Sequence, residues 1–338
     1  MRSDEMTLPD RFPALLAEQD DKGFRFGETE LTLDDLPQGE VLVAVRYAGV
    51  NFKDGLASIP NGNVARGYPL VPGIDLSGVV LSSSDRRFRA GDQVLATGYD
   101  LGVAHHGGYA ALARLPADWV LGLPRGLDLR QAMAIGTAGL TAAIAIARLE
   151  REGLTPASGP VLVTGATGGV GCLAVDMLAG LGYTVEASTG KAEAEGFLRR
   201  LGAQAIVPRA ELQPESVRPL DRQRWAAAID PVGGRTLSTV LSRLRYGGVV
   251  ASVGLTAGAV FDTTVFPFIL RNATLFGVES AYLPMAERQV LWQRMAGDLR
   301  PSHLDDLIAH EIAWPQLPAA LSRILAGGVI GRIVVAMP

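Results

Sequence analysis

The sequence predicts an α/β protein in two parts, a small antiparallel β-barrel or sandwich domain followed by a doubly wound parallel sheet. Three observations predict it. Short strands separated by turns fill the first third of the chain, strand and helix alternate from Val161 onward, and the alternating part opens on a glycine-rich stretch at 161–171, VLVTGATGGVG.

In the first third, ALLAEQ, VLVAVRYAGVNF, LSGVVLSSS, DQVLATG, GGYAALARLP and WVLGLP follow one another with Gly and Pro between them and no crossover helices. Such spacing, roughly ten residues per strand, is the signature of a small β-barrel or sandwich. The texture changes around Pro124, because LRQAMAIGTAGLTAAIAIARL at 129–149 is apolar on all sides and rich in helix-forming alanine. A domain boundary is expected there. After the glycine stretch come TVEAS, a helix over 192–201, AIVPR, AAAID, a helix over 237–244, VVASVG and an edge strand in ATLFGVES. Strands so brief and apolar suit a sheet covered by helices on both faces. AERQVLWQRMAGDL places Val290, Leu291, Met295 and Leu299 near helical spacing, and IGRIVVAMP reads as a final strand that rejoins the first domain. The expected division is 1–124 for the first part of the β-domain, 125–297 for the parallel-sheet domain and 298–338 for the return.

With 338 residues the chain suits two cores, and its 48% hydrophobic content fills them. A net charge of -4 offers no basic footprint, so no nucleic-acid partner is expected. No apolar run approaches the ~20 residues that span a bilayer; the stretch at 135–147 is interrupted by glycine and threonine. The start, MRSDEMTLPDRF, carries acids and lacks an apolar centre, so a secretory leader is not expected and the cytoplasm is. Cys172 stands alone, which excludes an intrachain disulfide and a multi-cysteine zinc site; it is expected as a small helix-packing residue, with a thiol activated by the helix start as the alternative.

The glycines at 165, 168, 169 and 171 join an apolar strand to a helix, a geometry that lets backbone approach a pyrophosphate at the positive end of the helix. A dinucleotide is the expected ligand. The spacing is not the usual G-x-G-x-x-G, so the turn alone leaves an ordinary glycine-rich connection open. Cofactor choice should be written about 20 residues further on, where an acid reads the ribose of NAD and cations accept the phosphate of NADP. There the chain reads VEASTGK. Glu186 speaks for NAD but lies within the strand, while Lys191 in the exit turn Ser188, Thr189, Gly190, Lys191 favours NADPH.

With GVNFKD, VPGIDLSGVV and GATGGVG in this order, the chain resembles the medium-chain dehydrogenase/reductase superfamily. In that superfamily a Rossmann domain is inserted between two pieces of a GroES-like β-barrel domain. Zinc alcohol dehydrogenases of the superfamily carry a cysteine and an aspartate in the first segment and a His-Glu pair in the second. Here those positions read Asn51, Asp54, Ile74 and Asp75. Loss of the cysteine and histidine removes a tetrahedral catalytic zinc site, so no metal is expected and the zinc-free quinone-reductase branch is the better match. Within it, NFKDGLA, HHGGYAALARLPADWVLGLP, AIGTAGLTA, RYGGVVASVGL and TTVFPFILRNATLFGVES are similar to segments of the NADPH-dependent acrylyl-CoA reductase group.

That resemblance implies NADPH as hydride donor and acryloyl-CoA as acceptor, giving propanoyl-CoA. It places Phe52 against the nicotinamide, Thr137, Leu255 and Ile269 along the cofactor, Ala166, Thr167, Gly168, Gly169 and Val170 at the pyrophosphate, and Thr189, Gly190, Lys191 and Arg209 on the phosphate side. Asn51, Phe52 and Asp54 are the catalytic candidates: Asn51 could donate an amide hydrogen bond to substrate or cofactor, and Asp54 follows Phe52; equally, Asn51 could cap a turn and Asp54 a helix. His105 and His106 could aid protonation or simply shape their loop. Arg66 is a candidate for the phosphates of coenzyme A. A homodimer joined through the strand at 273–280 is expected, as is common in the superfamily. Quinone or small enone reduction, and a nonenzymatic NADPH-binding sensor, remain as alternatives.

Overall fold

The computed structural model describes residues 9–338, so the leader reading rests largely on residues outside those described. The chain opens with a hairpin of β1 (Phe12–Asp20) and β2 (Gly23–Leu31), turned at Gly23 with φ +117°. β2 is a strand that its sequence does not advertise. Its charged residues point to solvent and its two phenylalanines are only half-buried, so no strong apolar face marks it.

β3 (Val41–Gly49) leads into the short α1 (Phe52–Ala57), and β4 (Asp75–Ser83), β5 (Gln93–Thr97), β6 (Leu112–Leu115) and β7 (Leu121–Gly122) complete the antiparallel part of the sheet. α2 (Leu129–Arg151) follows. It is continuous except at Gly136, whose φ of 50° and ψ of -156° break the helix into two pieces. By length and composition α2 could cross a membrane, contrary to the expectation that no apolar run is long enough. It does not act as a span here, because 89% of its apolar window is buried inside the protein.

The parallel part runs β8 (Val161–Val163), α3 (Gly169–Gly180), β9 (Val185–Thr189), α4 (Glu195–Arg200), β10 (Ala205–Pro208), β11 (Trp225–Asp230), α5 (Gly234–Ser242), β12 (Leu244–Ser252), α6 (Phe266–Arg271) and β13 (Thr274–Gly277). Strand order is β10-β9-β8-β11-β12-β13, all parallel, so direction of travel reverses between β8 and β11. Ligands of such sheets bind outside the carboxyl ends of the strands at that reversal. Its strands are buried by helices on both faces, with α2, α3 and β8 sharing one continuous core.

Finally α7 (Met285–Ala296), α8 (Leu304–Leu307), β14 (Ile308–Ala313) and α9 (Leu317–Leu325) lead to β15 (Arg332–Ala336). β15 pairs antiparallel with β3, placing Val335 opposite Ala48, and carries β14 on its other side. The end of the chain thus completes the first sheet. α9 packs on α1, where a methyl group on Gly55 would lie 2.8 Å from Leu325 Cγ.

Candidate active site

The glycine turn sits at the carboxyl end of β8. Gly165 takes φ +53°, and a Cβ on Gly171 would lie 2.7 Å from Ala166 Cα, so a side chain at 171 has no room. Ala166 N–H donates to Ser188 O at 3.0 Å, which ties the turn to β9. Cys172 N–H is the first of α3 to close on the turn, reaching Gly168 O at 2.9 Å. The N–H groups of Gly169, Val170 and Gly171 therefore point out of the helix start without helical partners. This is the kind of donor set and dipole end that a pyrophosphate needs. Of the expected residues Gly169 and Val170 carry free N–H groups, while the N–H groups of Ala166 and Gly168 are spent on Ser188 O and Gly165 O, and with Thr167 these residues shape the turn. Cys172 itself is buried in the core, its thiol pushed up to about 12 chiefly by burial, so it is an inert packing group.

At the next strand exit, Thr189 ends β9 and its hydroxyl accepts Lys191 N–H at 3.0 Å. The Lys191 ammonium donates to Val329 O at 2.7 Å, and the Arg209 guanidinium lies over Gly190, whose missing Cβ would be 2.5 Å from Arg209 Cζ. Burial lowers the Lys191 pKa; Glu193 opposes this, while Arg209 and Arg323 add to it. Glu186, the competing acid, is not at the exit. Its carboxylate accepts Trp225 Nε1 at 2.8 Å and pairs with Arg224 at 2.7 Å within the sheet.

The GVNFKD segment forms the start of α1, with Asn51 as its cap. Asp54 reaches back to accept Asn51 N–H at 2.8 Å, and its other oxygen accepts Ile74 N–H at 2.9 Å. The Asn51 amide donates to Asp54 at 3.1 Å and to Asp75 at 2.8 Å, and its oxygen accepts from Arg332 at 3.3 Å. Asp75 also receives Thr137 N–H at 3.0 Å and the Thr137 hydroxyl at 2.5 Å. Thr137 thus begins the second piece of α2, and Gly136 is glycine because a Cβ there would be 2.5 Å from Asp75 Oδ2. Asp54 and Asp75 are fully buried. Burial, then the neighbouring Asp75 charge, raise the Asp54 pKa to about 7 against the pull of its N–H donors. Of the candidate catalytic residues Asn51, Phe52 and Asp54, Phe52 alone is exposed, over 45% of its surface, and the other two are buried.

Arg332 is the residue that sequence reasoning missed. It opens β15 yet is buried, donating to Ala134 O at 2.8 Å and Asn51 Oδ1 at 3.3 Å, and a Cβ on Gly169 would lie 2.7 Å from its Nη1. With Gly331 N–H bonded to Thr167 O at 2.9 Å, the returning strand braces the glycine turn. Arg288 was missed too. From α7 it reaches across to Thr97 O at 2.7 Å and Ala281 O at 2.9 Å, and lies 4.6 Å from the Tyr99 ring, which stacks on Trp119. A charge among AERQ in a surface-like helix gave no sign of either contact.

The remaining candidates are more dispersed. Leu255 follows β12, its Cα 3.3 Å from where a Gly233 Cβ would stand, and Ile269 lies on α6; they are 63% and 67% exposed. His105 Nδ1 donates to His106 O at 2.9 Å, and His106 Nδ1 accepts Val71 N–H at 3.3 Å, so both shape their loop. Burial, with His105 beside it, lowers the His106 pKa. Arg66 pairs with Asp100 at 3.2 Å, and Tyr282 donates to the same carboxylate at 2.6 Å.

The donor set does not suit a catalytic metal. Among the described residues no group of three His, Cys, Asp or Glu side chains converges, and the carboxylates nearest the expected position, Asp54 and Asp75, are already filled by N–H and O–H donors.

A glycine turn with free N–H groups, a parallel sheet and a β-domain completed by β15 define a two-domain fold of the dinucleotide-binding class, and the comparisons with known proteins make it an oxidoreductase. Residues 169–296 match the family described as zinc-binding dehydrogenase, and residues 37–125 match the alcohol dehydrogenase GroES-like domain. The acrylyl-CoA reductase AcuI of Ruegeria pomeroyi is 48% identical over 96% of this chain and 98% of its own. The putative quinone oxidoreductase YhfP of Bacillus subtilis is 46% identical over 96% and 98%. The crystal structure of yhfP with NAD bound has a TM-score of 0.94 to this chain, covering 97% of it and 100% of that chain. The yhdH oxidoreductase of Salmonella enterica, in complex with NADP, has a TM-score of 0.92 at 44% identity, covering 96% and 100%. The chain belongs to the medium-chain dehydrogenase/reductase superfamily, in its zinc-free quinone-oxidoreductase-like branch.

Proposed function

We propose that this chain is a cytoplasmic, metal-independent NADPH:enoyl-CoA reductase that converts acryloyl-CoA to propanoyl-CoA. The observation that carries the alkene reading is the closed network of Asn51, Asp54, Asp75, Thr137 and Arg332. Side chains that would have to turn outward to hold a Lewis acid instead satisfy one another, so a carbonyl substrate would lack its polarising cation. Conjugate reduction of an activated C=C needs only its own electron-withdrawing thioester. The name and 48% identity of AcuI support that acceptor.

NADPH, when bound, supplies the hydride. The free N–H groups at 169–171 hold its pyrophosphate, and Lys191 and Arg209, with Thr189 and Gly190 making the turn, receive its 2′-phosphate. The NAD in the yhfP crystal structure is the counter-indication, and the engagement of Glu186 inside the sheet outweighs it here. Phe52 packs its exposed ring on the nicotinamide, Thr137 sits at the α2 break, and Leu255 and Ile269 cover the cofactor. Asn51 and Asp54 act by fixing this geometry, since the Asn51 amide has given both hydrogens to carboxylates. The thioester α-carbon takes its proton from solvent.

A homodimer through the β13 edge fits the exposed Val265, Phe266 and Leu270 on and beside α6. The second enzymatic reading, quinone or small enone reduction, is favoured by the name of YhfP. An acceptor panel separates the readings: NADPH consumption with acryloyl-CoA and not with benzoquinone supports the proposal, the reverse supports the quinone reading, and binding without turnover supports a sensor.

A further inference from the structure

The cations at the end of β9 do not all belong to the parallel-sheet domain. Lys191 and Arg209 do, but the carbonyl that holds the Lys191 ammonium at 2.7 Å is that of Val329, in the turn between α9 and β15. That turn is built on Arg323. Gly328 N–H donates to Arg323 O at 3.2 Å, and a Cβ on Gly328 would lie 3.6 Å from Arg323 Cγ. Arg323 is exposed on the last turn of α9, which packs on α1 of the β-domain, and among the described residues it forms no salt bridge. Its charge is near enough to be felt at Lys191, alongside that of Arg209. Three cations from two domains converge on one turn, and like charges brought together stabilise an anion placed among them.

We infer that Arg323 is a further specificity-determining residue for the phosphomonoester on the adenosine ribose of the cofactor, supplied by the domain opposite the one that carries Lys191 and Arg209. This rests on the NADPH reading and adds to it that the phosphate is gripped from both sides of the cleft. The shared chemistry, a ribose phosphate dianion, occurs both in NADPH as the 2′-phosphate and in coenzyme A as the 3′-phosphate, and the inference commits to the 2′ position.

Calorimetric titration of the full chain with adenosine 2′,5′-bisphosphate, adenosine 3′,5′-bisphosphate and 5′-AMP tests it without turnover. Wild type should prefer the 2′,5′ compound. Arg323→Ala should weaken that compound by about tenfold, the loss of one charge-assisted contact, leave 5′-AMP within about twofold, and be largely rescued by Arg323→Lys. Steady-state kinetics of the same variants should show a raised KM for NADPH with kcat retained. If wild type prefers the 2′,5′ compound and Arg323→Ala binds it unchanged, the role of Arg323 is overturned and the NADPH reading stands. If wild type binds 5′-AMP as tightly as the 2′,5′ compound, or prefers the 3′,5′ compound, both are overturned.

Discussion

At residue scale the site divides into groups that face the cleft and groups that hold those groups still. Lys191 is of the first kind. Lys191→Ala removes a charged partner of the 2′-phosphate, and a charge-assisted bond of about 1.5–3 kcal/mol corresponds to roughly 10- to 150-fold in kcat/KM for NADPH. NADH kinetics should change little, since NADH brings a ribose but no phosphate to that turn; an equal loss with both cofactors would show a structural role instead. Asp54 is of the second kind. Its carboxyl titrates at about 7 in the fold against 3.8 for a free side chain, so the native state keeps a proton that the unfolded chain has lost. Stability should therefore fall as pH rises from about 4 to about 7, the sign opposite to that of an ion-paired aspartate. Denaturant unfolding across that range should show the slope in wild type. Asp54→Asn, less stable overall because its amide meets the Asn51 N–H donors, should show a flatter one; an unchanged slope would assign it to another group.

At the scale of elements, local signals were legible and distant ones were not. The glycine turn and the strand-helix alternation declare themselves because steric demand and periodicity act over a few neighbours. The N-x-x-D pair of Asn51 and Asp54 is likewise a local capping pattern, but what fills their remaining bonds, Asp75 and Arg332, lies 24 and 281 residues from Asn51. No spacing rule reaches that far. β2 escaped notice because its outward face is charged, and α2 concealed its break because it holds two glycines among alanines, Gly136 and Gly139, of which only the first leaves the helix. That break is testable. Gly136→Ala forces a Cβ into a left-handed backbone and against Asp75, so it should cost about 2–4 kcal/mol in denaturant unfolding, whereas Gly153→Ala, also left-handed but facing open space, should cost about 1 kcal/mol. Equal costs would mean that the Asp75 contact contributes nothing.

At the scale of the molecule, two buried arginines join parts of the chain that sequence distance keeps apart. Arg332 brings the end of the chain under the glycine turn, and Arg288 fastens α7 to the end of β5. Arginines of this kind are hidden in a sequence because each gains its place from carbonyls that other elements supply. Arg288→Met leaves the carbonyls of Thr97, Ser280 and Ala281 without that donor and should destabilise the fold by about 3 kcal/mol, read as a lowered denaturation midpoint. The apolar residues beside β13 make a parallel claim about assembly: Leu270→Glu should shift the particle from dimer to monomer in sedimentation, and a wild type that sediments as monomer would remove the proposed interface.

The central claim is conjugate hydride addition from NADPH to an enoyl thioester by a site that holds no metal. Its most direct measurement is the position of deuterium in the product when chelator-treated protein reduces acryloyl-CoA with NADPH deuterated at the transferring carbon. The account predicts propanoyl-CoA carrying that deuterium at C3, a solvent hydrogen at C2, and an undiminished rate. Absence of propanoyl-CoA, deuterium at C2, or a rate restored only by added zinc would contradict it.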